Sequence, residues 1–287
     1  MTDDPADRTA LVLGGGGITG IAWELGLLAG LAEAGVDLGT ADLVVGTSAG
    51  SVVGAQITSG VPLEGLYERQ LEPPSTERAA KTGARLLVGL GLAILLSRGN
   101  VEALGRRAGA FAIKAAAAGR TPSAQDRLSV IGSRLPEHSW PEQSLQVTAV
   151  DAATGEFRVL DRASGVDLVT AVAASCAVPG VYPPVLIEGQ PHVDGGVRSG
   201  ANVDVANGFA RVVVLAPLLG GVGPLASPQR QADALGAERI ALVSPDQGAK
   251  VAIGKNVLDP ASRAASARAG RRQAANVVDE IRAVWTR

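Results

Sequence analysis

Short unbroken apolar runs alternate with longer stretches of helical spacing along most of this chain. Ala10-Leu11-Val12-Leu13 is apolar throughout and ends in a glycine cluster, which predicts a short buried strand. From about Ile21 to Ala34, Trp23, Leu27, Leu28 and Leu31 recur at helical spacing, and Gly35 stands where a helix ends. Leu43 to Gly46 is a second buried strand, and Ser51 to Gln56 opens a second helix. Strand, helix and strand in that order make a βαβ unit, hence a parallel sheet.

The pattern then turns helical. Pro62 can open a short helix through Gln70, and Pro73-Pro74 breaks the chain. Leu86 to Leu96 is apolar all round but too short to span a bilayer, so it reads as a buried helix, a cap over the site or an interfacial segment, and sparse flanking Arg and Lys favour burial in the core or as a cap. Asn100 to Ala118 and Thr121 to about Leu135 read as further helices. Residues 61–135 therefore read as a helical insertion, or cap, within one domain of 1–287. Strands resume at Leu145 to Val150 and Glu156 to Leu160 around an Ala153-Thr154-Gly155 turn. A helix over Asp167 to Ser175 leads to a proline-stiffened loop, and a short strand ends in Asp194-Gly195-Gly196. Ala210 to Ala216 and Arg239 to Val243 read as strands, and Ser262 to Val284 as a long helix.

Composition narrows the function. The net charge is −2, with 26 basic and 28 acidic side chains, so nothing points to nucleic acid as a partner. One cysteine, Cys176, excludes an internal disulfide and suits a reducing cytoplasm; with His138 and His192 as the only histidines, a zinc site is not expected. The acidic, polar start of the chain lacks the pattern of a signal peptide.

The chemistry sits at two glycine-rich joints. Gly46-Thr47-Ser48-Ala49-Gly50 fits G-x-S-x-G between a strand and a helix. A sharp turn there strains the serine backbone, and the flanking glycines remove side chains that would clash. Upstream, Gly14-Gly15-Gly16-Gly17-Ile18-Thr19-Gly20 has two functional readings. Gly15, Gly17 and Gly20, with Asp37 further on, fit a dinucleotide fingerprint. Bare backbone N–H groups at a helix start also fit an oxyanion hole. The second strand favours the oxyanion hole, because it ends in a serine elbow and not in the acid a ribose needs.

These blocks resemble a bacterial member of the patatin-like phospholipase family. The likeness lies in the glycine loop, the elbow, the loop Ala174 to Gly180 with Tyr182-Pro183-Pro184, and Asp194-Gly195-Gly196, in that order. It covers roughly residues 10–216. The resemblance implies a three-layer α/β fold, with a central mostly parallel sheet and helices on both faces. It implies Ser48 as nucleophile, Asp194 as base, and the N–H groups of Gly15, Gly16 and Gly17 as oxyanion donors. The family's loop usually carries Arg or Lys where this chain has Thr19, which removes a charge beside the oxyanion.

The expectation is hydrolysis of lipid acyl esters through an acyl-enzyme on Ser48, a chemistry that needs no metal or organic cofactor. Leu90 and Ile94 are expected to border the acyl-chain pocket, and peripheral contact with a membrane is compatible with a cytoplasmic protein. Three other readings stand beside it. A Ser–Asp–His triad would use His192 with Asp151, Asp161 or Asp167. A weakened, lipid-binding protein would account for Thr19. A nicotinamide-dependent oxidoreductase rests on the glycine loop alone.

Overall fold

The computed structural model of the chain describes residues 7–73, 84–220, 227–237 and 239–286, without the side chains of 84–88 and 90. The first apolar run forms β1 (Thr9–Leu13), and the glycine cluster turns directly into α1 (Gly17–Glu33). The helix thus starts four residues before its apolar periodicity does, because Gly20 N–H already bonds to Gly16 O. Next come β2 (Leu43–Gly46) and α2 (Ala49–Ile57). Helices α3 (Leu63–Leu71), α4 (Ala84–Leu96), α5 (Val101–Ala117) and α6 (Ala124–Arg134) follow before β3 (Ser144–Asp151). The second half contains β4 (Phe157–Leu160), α7 (Leu168–Ser175), β5 (Val185–Ile187), β6 (Gln190–Asp194) and β7 (Arg211–Leu215). The last elements are α8 (Pro228–Ala234), β8 (Arg239–Val243), α9 (Gln247–Ile253) and α10 (Arg263–Trp285).

The strands join one sheet in the order β5-β6-β3-β2-β1-β7-β8, with β4 on β3. Strands β3, β2, β1, β7 and β8 run parallel, while β4, β5 and β6 are antiparallel additions. The fold is therefore a mixed, mostly parallel α/β sheet flanked by helices. Alternation along each strand explains the two flanks. Leu11, Leu13, Val44, Val213 and Leu215 pack with α1, α2, α7 and α10. Ala10, Val12, Val45, Val212 and Val214 pack beneath Ala201, Val203, Ala206 and Ala232. Helix α1 is buried from Ile18 to Leu31, which accounts for its apolar residues on every side.

Helix α4 departs from expectation. Ala93 is buried, but Leu92, Leu95 and Leu96 are 51%, 72% and 56% exposed. Helix α5 packs on one side of it, with Phe111 against Gly89, and the other side faces outward. No described helix is long and apolar enough to cross a membrane.

Candidate active site

Strand register brings the two predicted chemical groups together. Gly46 at the end of β2 pairs with Val147 of β3, and Asp194 at the end of β6 pairs with Ala149 of the same strand. Both strand ends thus converge on one short stretch of β3. Ser48 Oγ donates a 2.7 Å hydrogen bond to Asp194 Oδ2.

The elbow is strained and held. Ser48 sits at φ 53°, ψ −113°, outside the usual range of an L-residue. Its N–H donates to Ser175 Oγ at 2.9 Å, and its carbonyl accepts from Ser51 Oγ at 2.6 Å and Cys176 Sγ at 3.2 Å. A Cβ on Gly50 would run into the backbone of Leu13, and one on Gly46 would lie 2.5 Å from Ser51 Cα. Those contacts are why the turn needs glycine at both places.

Asp194 is buried at the floor of the site. Burial pushes its carboxyl up to about 6, against the opposing pull of the Ser48 hydroxyl, the Gly196 N–H at 2.7 Å on Oδ1, and the positive charge of Arg127. A carboxylate poised there can take a proton near neutral pH.

The glycine loop divides differently from the sequence expectation. Gly15 N–H donates to Gly200 O at 2.7 Å, so it is already engaged and drops out of the donor set. The N–H groups of Gly16, Gly17 and Ile18 make no hydrogen bond among the described residues, and neither does that of Ala49, which follows Ser48. These residues line one cavity with Ser48 and Asp194. Gly17 has φ 61°, and a Cβ there would lie 2.6 Å from Val257 O. Only glycine keeps that approach open.

The cavity holds about 380 Å³ and its walls are largely apolar, with Ile94 of α4 among them. The Leu90 side chain, expected beside Ile94, lies outside the described residues.

The family model of the patatin-like phospholipases matches residues 11–207. The chain belongs to the patatin-like phospholipase family. The match spans every block that carried the resemblance, from the glycine loop through Asp194. No curated protein matches the chain by sequence. Among solved structures it is similar to VipD from Legionella pneumophila, at 14% identity and TM-score 0.48, over 95% of this chain and 67% of VipD. It is also similar to the type III effector protein ExoU, at 17% identity and TM-score 0.42, over 98% of this chain and 54% of ExoU. Membership in a family of phospholipases supports lipid acyl hydrolysis in general terms.

In this patatin-like chain the other candidate residues serve the fold. Asp151 accepts from Ala153 N–H and Thr154 N–H, Asp161 from Ala163 N–H, and Asp167 from Thr170 N–H. All three acids cap turns or helices. His192 Nδ1 lies 2.9 Å from Gln190 O, and His138 Nε2 lies 3.0 Å from Gly132 O; neither bonds to Ser48 or Asp194. Burial pushes His192 below the ordinary histidine value. Asp37, the candidate ribose acid, accepts from Gly39 N–H and caps a 3-10 turn. Thr19 is fully buried, with its hydroxyl 3.3 Å from Val257 O. Burial also raises the Cys176 thiol, which keeps it protonated beside the elbow.

Sequence reasoning passed over several residues of the site. Asn202 and the pair Arg127 and Arg134 carry no motif in their own right, while Ser175 and Tyr182 stand in the loop block that carried the resemblance but had no role of their own there. A helical projection of α6 places Arg127 and Arg134 on one face, seven residues apart, but says nothing of what that face meets.

Proposed function

We propose that this protein hydrolyses carboxylic esters of lipid acyl chains with a Ser48–Asp194 dyad and an acyl-enzyme on Ser48. The observation that carries the reading is the 2.7 Å hydrogen bond from Ser48 Oγ to Asp194 Oδ2 inside a largely apolar cavity. Ser48 Oγ attacks the ester carbonyl carbon as Asp194 takes its proton. The carbonyl oxygen becomes an oxyanion, which the N–H groups of Gly16 and Gly17 are suited to receive, with that of Ala49 beside them. Collapse of this intermediate breaks the bond to the alcohol, which leaves with the proton from Asp194. Water, deprotonated by Asp194, then attacks the acyl carbon; the bond to Ser48 Oγ breaks, Oγ takes the proton back from Asp194, and the carboxylic acid is released.

The apolar wall, including Ile94, suits an acyl chain. Exposed Leu92, Leu95 and Leu96 on α4, with Leu218 and Leu219, support peripheral contact with a lipid surface. A panel of p-nitrophenyl esters of rising chain length, with fluorophosphonate labelling, tests the reading. Wild type should turn over and be labelled, while Ser48→Ala should show neither. Labelling of Ser48→Ala, or activity within tenfold of wild type, would sink the assignment.

A weakened lipid-binding protein is the second reading. It draws on Thr19, which is uncharged and buried in packing rather than facing the loop's donors. Binding of the same esters without turnover by wild type would favour it.

A further inference from the structure

Helix α4 leaves one side uncovered beside the Ser48 cavity. Ile94 lines that cavity, whereas Leu92, Leu95 and Leu96 on the same helix are more than half exposed. Leu218 belongs to both surfaces, since it lines the cavity and is itself exposed. The apolar wall of the cavity and an outward apolar face thus share one helix. A cluster of large apolar side chains at a cavity rim marks a surface that something covers.

Charge points to what covers it. Residues 84–120, which hold α4 and α5, carry six basic side chains and one acid, a net of +5 in a chain whose net charge is −2. Arg98 stands exposed two residues past the end of α4, and Arg106, Arg107 and Lys114 stand exposed on α5. Among the described residues of this segment one ion pair forms, from Arg106 to Glu102 at 4.0 Å. Arg107, Phe111 and Lys114 follow one another at i, i+4 and i+7, on one side of α5. Phe111 is the residue that packs against Gly89 of α4, so Arg107 and Lys114 flank the contact between the two helices. Leucines and cations therefore belong to one helical pair. A second copy of the chain would oppose two surfaces of like charge. An anionic lipid surface takes both components, the leucines into its acyl boundary and the cations among its headgroups.

We propose that α4 and α5 form a docking surface for an anionic phospholipid bilayer, with Leu92, Leu95 and Leu96 entering the interface and Arg98, Arg107 and Lys114 meeting the headgroups. Delivery of a bilayer lipid past Ile94 to Ser48 rests on the function proposed above; docking does not.

The test is vesicle sedimentation with the whole chain carrying Ser48→Ala, so that lipid is not consumed. The vesicles are phosphatidylcholine alone, and an equimolar mixture of phosphatidylcholine with phosphatidylglycerol. Affinity for the mixed vesicles should be at least about tenfold higher and should fall as salt is raised. Leu95→Ser with Leu96→Ser should lower that affinity about tenfold or more. Arg98→Glu with Lys114→Glu should reduce the preference for mixed vesicles to under about threefold. Val251→Ser, which removes a comparably exposed apolar side chain from α9, should change neither. Equal binding to the two vesicles, or binding to neither, overturns the proposal whether or not any variant folds. A loss in Val251→Ser protein as large as in the leucine variant overturns the assignment to α4. A dimer that the leucine variant dissociates, with vesicle binding untouched, gives the surface to a second copy and also overturns it. Wild-type turnover of p-nitrophenyl butyrate, a soluble ester, is measured separately. Turnover without vesicle binding overturns this inference alone. Vesicle binding as expected with no turnover overturns the hydrolase reading and leaves the docking surface supported.

Discussion

Asn202 Nδ2 donates to Thr47 Oγ1 at 3.0 Å, so the residue just before the Ser48 elbow is tied to a buried amide from a distant turn. The same amide reaches Thr148 Oγ1 at 3.3 Å, Gly195 O at 3.3 Å and Ser199 O at 3.0 Å. Gly195 follows Asp194 directly. One side chain therefore fixes the elbow, the middle of β3 and the acid's turn relative to one another. Asn202 itself adopts φ 52°, a left-handed conformation that asparagine tolerates better than most residues.

Asn202→Ala should therefore damage both stability and rate. Loss of the shared amide leaves several buried groups short of partners, at a cost of about 2–4 kcal/mol. The expected outcome is a melting temperature lowered by several degrees and a kcat on p-nitrophenyl esters reduced about tenfold or more, with little change in KM. Asn202→Gly relieves the backbone but not the network, and should lose nearly as much. A fully active Asn202→Gly enzyme would show that the elbow and the acid hold their places without this clamp.

Asp194 links activity and stability to pH in opposite directions. The proposed base must be ionised, so kcat/KM for a neutral ester should rise with pH through about 6 and then level. The folded carboxyl titrates above its ordinary value of 3.8, so folding favours the protonated form. Its contribution to stability is fully present below about 3.8 and is lost as pH rises through about 6. Asp194→Asn should accordingly abolish turnover yet raise stability at pH 8 by roughly 1–3 kcal/mol, measured by urea unfolding. An Asp194→Asn protein with substantial esterase activity would contradict the dyad.

Thr19→Arg should not restore a cation to the glycine loop. Thr19 is fully buried, and both its N–H and its hydroxyl approach Val257 O. A larger, charged side chain would overpack the start of α1 and bury a charge where threonine fits. A loss of about 2 kcal/mol or more is expected, with no gain in kcat. Differential scanning fluorimetry beside ester kinetics checks this. A stable variant with tenfold higher kcat would mean that the loop still has room for the charge.

Glu24 is the clearest route to a more stable protein. It is fully buried on α1, where the backbone N–H of Gly14 favours its ionised form less than burial opposes it. Burial pushes its carboxyl well above the ordinary value, so it folds in the neutral form and its stabilising contribution is lost as pH rises. Glu24→Met, close in volume and apolar, should raise the melting temperature, with the gain growing as pH climbs above the usual carboxylate range of about 4–5. A pH-independent loss of stability would show that the contact with the Gly14 N–H outweighs the burial of the carboxyl.

His192→Ala should leave ester turnover within about threefold of wild type. Its Nδ1 faces Gln190 O, and its ring takes no part in the Ser48–Asp194 contact. Severity equal to Ser48→Ala, read on the same ester, would install a histidine in the reaction.

Local sterics were legible in the amino-acid order alone. A strand, a strained serine and a helix can follow one another only with glycine where Gly46 and Gly50 stand, so the elbow could be read from five residues. The unbroken apolar runs of β1, β2 and β7 likewise announced a sheet buried on both faces. Resemblance in four ordered blocks then pointed to Asp194, which by itself looks like ordinary turn chemistry.

Tertiary structure decided what depends on distance in space. Ser48 and Asp194 are 146 positions apart, and their contact exists because β2 and β6 both register against β3. Gly15 resembled its neighbours in the loop until Gly200 O claimed its N–H. Asp151, Asp161 and Asp167 were plausible acids until each proved to cap its own turn. Arg127 had no motif, because its place over Tyr182 depends on how α6 packs against a loop more than fifty residues away. Backbone strain is a property of neighbours in the chain and leaves its mark on composition. Hydrogen-bond competition and charge placement are properties of neighbours in space, and only the folded arrangement of β3, α6 and the Asn202 turn determines them.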